Sequence, residues 1–142
     1  MKLVLIFITF CCFYSSFASS EGWLVNIEDG RFNPSTNSIE LDVQYGGGCK
    51  EHIFKLKMGT CRESFPVQCD AQLIDLVTDD FCDAIVMKTV SINLHDAGLD
   101  DGYYDGALLE IHSAGNSNVL ITLSNWYQLS LIVLKRFFFK FS

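Results

Sequence analysis

Basic residues are scarce in the body of this chain. Residues 21 to 124 hold six of them against all 17 acids, a balance of 6 − 17 = −11. A body so charged repels phosphate backbones, which argues against nucleic acid as a partner; its ordinary consequence is solubility. Helical periodicity is missing too: no window longer than two turns carries apolar residues at a 3.6-residue spacing. Without crossover helices a parallel α/β sheet is disfavoured, and no internal repeat is present. Catalytic signatures are also absent. There is no Gly-x-Ser-x-Gly, no His-Glu-x-x-His and no phosphate loop. The neighbouring acids Asp79 and Asp80 would point apart in a strand or turn rather than across a substrate. The expectation is a protein that is not an enzyme and uses no cofactor.

Long apolar stretches are limited to the two ends. Lys2 is followed by an apolar run, Leu3 to Ala18, which closes in the small residues Ala18-Ser19-Ser20. A basic start, a short apolar middle and a small-residue exit describe a secretory signal peptide over residues 1–20. Its removal would leave 122 residues, enough for one domain with a core. At the other end, Leu129 to Leu134 falls far short of the ~20 residues of a spanning helix and is cut off by Lys135-Arg136, so no stable membrane span is expected. Residues 125–142, with three bases, no acid and Phe137-Phe138-Phe139, read as an atypical basic and apolar tail. The domain proper is 21–124.

Of six cysteines, Cys11 and Cys12 lie in the leader, and Cys49, Cys61, Cys69 and Cys82 remain as an even set. An even set in a short exported chain points to disulfides and to a secreted, extracellular location. Four cysteines allow three pairings, all open at this point.

The body reads as strands. Ile39, Leu41, Val43 and Tyr45 alternate with Glu40, Asp42 and Gln44, giving one dry face and one wet face. Phe54 and Leu56 repeat the pattern against Lys55 and Lys57. Val67, Cys69, Ala71 and Leu73 share a parity, as do Ala84, Val86, Val90, Ile92 and Leu94, with Lys88 the exception. Ala107, Leu109 and Ile111 form another stripe, and Val119, Ile121 and Leu123 the last. Turn signals punctuate them at Asp29-Gly30, Asn33-Pro34, Gly46-Gly47-Gly48, Met58-Gly59, Asp79-Asp80, Asp101-Gly102 and Asn116-Ser117-Asn118. Such short runs predict an all-β fold, an antiparallel sandwich or open barrel.

The densest segment runs from Gly46 to Leu56. Cys49 and His52 have the Cys-x-x-His spacing of a zinc half-site, but no second half is evident and the cysteines belong to an oxidised set. Counting by twos from Leu56 and Phe54 puts His52 on the buried face, where a lone histidine is a satisfied core group. Gly-Gly-Cys-Lys-Glu-His at 47–52, then Phe54 and Leu56, with Phe81-Cys82-Asp83-Ala84 downstream, resembles an uncharacterised family of small secreted β-sandwich proteins. The likeness covers about residues 38 to 124. It implies an all-β domain with Cys49 bonded to Cys82 and brings no established activity. Cys61 and Cys69 are additional to that pattern; they flank Glu63-Ser64-Phe65-Pro66, which suits a stapled hairpin-like loop.

Two further segments hold candidate binding residues. Asp96, Asp100, Asp101 and Asp105 lie in a glycine-rich stretch that invites a calcium reading, yet the spacing is not that of an EF-hand, and a solvated loop is the better account. Tyr103 and Tyr104 beside them could form a recognition edge, and Arg62 and Glu63 are offered by the stapled loop. The sequence thus predicts a secreted, disulfide-stabilised, non-enzymatic binding or structural module, its partner an unidentified extracellular protein or small ligand. The rival is a small protease inhibitor presenting the Cys61–Cys69 loop; a hydrolase built on His52 is a third class.

Overall fold

The computed structural model describes residues 22–115 and 117–124. The signal peptide expected at 1–20 and the tail expected at 125–142 lie outside the described residues. The fold is all-β, and the described residues form eight strands in two sheets and one short 3₁₀ turn at Gly102–Tyr104. Strands β1 (Trp23–Leu24), β2 (Asn26–Asn33), β3 (Ser38–Gly47), β4 (Phe54–Arg62), β5 (Gln68–Asp75), β6 (Ala84–Asn93), β7 (Ala107–His112) and β8 (Val119–Leu123) follow in chain order. One sheet is β2-β3-β6, antiparallel throughout. In the other, β5 runs with β4 along one edge; β7 shares its other edge with β1, and β8 lies beyond β7.

The alternating stripes place the core. Ile39, Leu41 and Val43 of β3, Cys69, Ala71 and Leu73 of β5, and Leu109 and Ile111 of β7 are buried between the sheets with Ile121 and Leu123 of β8. Each large aliphatic side chain there contributes about 1.5–3 kcal/mol. Lys88, the exception to the β6 parity, stands on an edge strand and is exposed, so an inward-parity lysine still reaches water.

Three expectations need correction. The sheets are not wholly antiparallel: β5 and β7 pair in parallel, Cys69 opposite Leu109. The chain leaves β5, forms β6 in the opposite sheet and returns to β7, so a strand supplies the crossover that a helix supplies elsewhere. Asp29-Gly30 does not turn the chain; it lies inside β2 beside a register shift between Ile27 and Asp29. Gly30 serves packing there, because a Cβ would stand 2.8 Å from side-chain atoms of Leu41 and Val119. Likewise Met58-Gly59 lies within β4, at a second register shift between Met58 and Cys61.

Candidate functional site

The glycine run at the end of β3 brings the site together. Gly47 and Gly48 take φ of +131° and +106°, a region open to glycine. A Cβ on Gly47 would stand 2.8 Å from both Asp80 Oδ2 and His52 Nε2. The backbone can therefore curl around Asp80 only with no side chain at position 47. Gly48, Cys49 and Lys50 each donate a backbone N–H to Asp80 Oδ2, at 2.9, 3.0 and 2.9 Å, and Cys82 donates to Oδ1 at 3.1 Å. Such a concavity of amides is an anion site, here filled by the protein's own carboxylate.

His52 lies beneath, its side chain 3% exposed. Its Nδ1 faces Asp75 Oδ2 at 2.5 Å and its Nε2 faces Asp80 Oδ2 at 3.2 Å. Asp75 ends β5 on the inward parity of Cys69, Ala71 and Leu73, and its Oδ1 accepts from the Val77 N–H at 2.9 Å. The ring of Tyr45 packs on the imidazole, with centroids 4.5 Å apart, and Phe54 packs edge-on to Tyr45.

Burial opposes charge on the imidazole, but the hydrogen bonds and fields of Asp75 and Asp80 outweigh it and raise the His52 pKa above its ordinary 6.5. For Asp80, burial would raise the carboxyl, yet the amides of Lys50, Cys82 and Cys49, with His52, hold it well below the usual range. Burial pushes the Tyr45 phenol up, helped by Asp75 and Asp80. Asp75 and Asp80 thus clamp the imidazole from both sides, an arrangement that favours its protonated form, in which both ring nitrogens donate.

The Cys49–Cys82 disulfide, Cα–Cα 5.9 Å, ties the glycine turn to the start of β6 above this clamp. Over it opens a cleft of about 540 Å³, with His52, Asp75 and Asp80 at its floor. Trp23 and Phe81 line it while 68% and 90% exposed. Leu24, Asn26, Gln44, Gly46 and Asp83 complete much of the wall.

Other expectations resolve residue by residue. Cys61 pairs with Cys69 across adjacent strands, Cα–Cα 4.0 Å, leaving Arg62, Glu63 and Ser64 exposed on the hairpin. The zinc spacing of Cys49 and His52 is void, since Cys49 is oxidised. Among the described residues, the one group of three potential ligands, Cys49, Asp80 and Cys82, contains that same disulfide. Asp79 and Asp80 do point apart: Asp79 pairs with Lys50 at 2.5 Å while Asp80 turns inward. The structure does not bring Asp96, Asp100, Asp101 and Asp105 together as ligands. Asp100 holds His95 Nδ1 at 2.7 Å, and Asp101 caps the 3₁₀ turn by accepting the Tyr103 N–H. Tyr103 is half exposed and Tyr104 packs against the core.

Sequence reasoning does not single out Asp75 or Trp23; it meets Phe81 only as part of the Phe81-Cys82-Asp83-Ala84 motif and Asp80 only as one of an adjacent acid pair. Asp75 carried a signal, an acid on a buried parity that needs a cation; the aromatics carried none. Among the described residues no helix is long and apolar enough to cross a membrane. No family model, no curated protein and no solved structure matches the chain.

Proposed function

We propose that this protein is a secreted, disulfide-stapled, non-enzymatic binding module whose ligand surface is the cleft under Trp23 and Phe81. One observation carries the reading: two large aromatic side chains are held in water at the mouth of a cleft whose floor is locked by a disulfide, a buried ion cluster and an amide nest. Exposed aromatics on a rigid frame are the usual anchors of recognition, because they bury much area at little entropic cost. The clamp favours binding over catalysis, since both ring nitrogens of His52 already face carboxylates and Asp80 already accepts hydrogen bonds on both oxygens.

The test compares the secreted wild type with Trp23→Ser/Phe81→Ser by hydroxyl-radical footprinting in native extracellular fluid and in buffer. Protection of the cleft in fluid alone, lost in the variant while the unfolding midpoint stays put, supports the reading. Equal labelling in both media overturns it. A hydrolytic activity abolished by a folded His52→Gln variant would replace it with an enzyme.

The inhibitor reading keeps one observation in its favour. The staple sits at the base of a loop that also closes on itself, with Ser64 N–H on Arg62 O at 2.8 Å and Ser64 Oγ–H on Pro66 O at 2.7 Å, and Phe65 stands fully exposed. A loop so ordered loses little entropy on docking into a protease cleft. Inhibition at micromolar concentration that Arg62→Ala/Glu63→Ala abolishes would establish it; silence across serine and cysteine proteases would remove it.

A further inference from the structure

From the charge and the rim of the cleft we infer that its ligand is a basic, extended peptide segment of another protein, with an arginine or lysine side chain seated between Trp23 and Phe81 toward Asp83. This rests on the reading of the cleft as the ligand surface and names what that surface takes. The charges are one-sided. The lining holds Asp75, Asp80 and Asp83 and no lysine or arginine, so even with His52 protonated its balance is 1 − 3 = −2. The nearest lysine along the chain, Lys50, is engaged with Asp79. Both ring nitrogens of His52 face carboxylates, so it offers an incoming anion nothing, and the amide nest is occupied by Asp80. An acidic or phosphorylated ligand would therefore meet repulsion without a single free base.

A cation meets the opposite. Trp23 and Phe81 are exposed and line the cleft, where an aromatic face attracts a guanidinium or ammonium group, and exposed Asp83 adds a carboxylate to the same lining. The body, at −11, would steer such a partner in. The apolar rim extends past the cleft. Ile85, 75% exposed, stands opposite Gly46, which lines the cleft, and Met87, 74% exposed, follows opposite Gln44. That shelf exceeds what one small amine would cover and fits the apolar neighbours of a basic residue in an extended chain. Leucines flanking an arginine would rest on it while the guanidinium enters the cleft.

The probe is the peptide Ac-Leu-Arg-Leu-Arg-Leu-NH2, titrated into the full chain carrying Trp126→Phe, so that Trp23 is the sole tryptophan reporter. Two control peptides replace arginine by citrulline, which keeps the shape and loses the charge, and by glutamate. The expected result is a Trp23 emission change with binding about tenfold tighter for arginine than for citrulline, weakened by salt, with no response to glutamate. Asp83→Asn should remove most of the arginine preference. Equal binding of arginine and citrulline peptides overturns the cationic ligand and leaves the cleft reading standing. No response to any peptide, with footprint protection in extracellular fluid retained, overturns the peptide class and points to a different ligand, such as a neutral saccharide. Loss of both signals removes the cleft itself.

Discussion

Two histidine–aspartate pairs stand at opposite ends of the same sheet. His52 lies beside Gly47, where β3 pairs with the start of β6; His95 follows Asn93, where β6 ends opposite Ser38. Each offers Nδ1 to an aspartate Oδ2, at 2.5 and 2.7 Å. Their surroundings differ completely. The His52 side chain is 3% exposed and meets a second carboxylate, whereas the His95 side chain is 80% exposed. The contact is alike, and burial decides its worth: an exposed pair is screened and entropically costly, while a buried one cannot lose a partner without stranding charge in a dry place. The first end is built to hold a shape, the second to stay in water.

That contrast is most exposed to disulfide removal. Cys49 and Cys82 are 33 residues apart and belong to the rigid end; Cys61 and Cys69 are 8 apart on a hairpin. Loop entropy puts the first bond at about 4 kcal/mol and the second at about 2.5 kcal/mol. Serine at both 49 and 82 should therefore lower the urea midpoint more than serine at both 61 and 69. A reversed order would mean that the cleft end owes its rigidity to something other than its staple.

The histidines supply the next test. His52→Ala leaves Asp75 and Asp80 buried without their cation, a loss of about 3 kcal/mol or more by analogy with other broken buried pairs. His95→Ala should leave the thermal midpoint within error of the wild type. Similar losses from both would show that the His52 cluster is wetter than its burial implies.

A pH series separates the two further. The His52 pKa is raised, so its contribution to stability is complete below about 6.5 and fades as pH rises through the folded value. Asp80 is lowered, so its contribution is present above about 3.8 and is lost as pH falls through its folded value. The stability difference between wild type and His52→Gln should be largest at pH 5–6 and shrink towards pH 9. His95 is also raised, by its hydrogen bond to Asp100, so His95→Gln serves as the control for the same window. A difference that grows on the alkaline side would show that His52 is neutral in the folded chain.

Much of the frame, and little of the site, was legible beforehand. Period-two alternation reports which face of a strand is dry, so the inward residues of β3, β5, β7 and β8 could be read directly. Parity also put His52 inside. It could not pick out Asp80 as a partner, because a loop residue has no parity, and it could not show that Gly30 is a packing contact rather than a turn. The parallel pairing of β5 and β7 depends on β6 crossing to the other sheet, which no local pattern records. Trp23 lies in the two-residue strand β1 and Phe81 in a loop, neither with periodic neighbours, so their convergence on one cleft is a product of topology alone.

The smallest expected effect belongs to the exposed end. Calcium needs six to eight oxygens, and two of the four candidate carboxylates already have other work: Asp100 holds His95 and Asp101 caps the turn at Tyr103. That leaves Asp96 and Asp105, whose carboxylates alone fall short of such a shell. A calcium site with a Kd near 10⁻⁴ M, as in extracellular modules, would add about 1.4 kcal/mol at 1 mM calcium, a shift of several degrees for a domain of this size. We expect the midpoint in 1 mM calcium to match that in chelator to within about a degree, for the wild type and for Asp96→Asn/Asp105→Asn alike. A rise of several degrees that the double variant abolishes would give the exposed end a ligand of its own, and the contrast between a built end and a solvated one would fail.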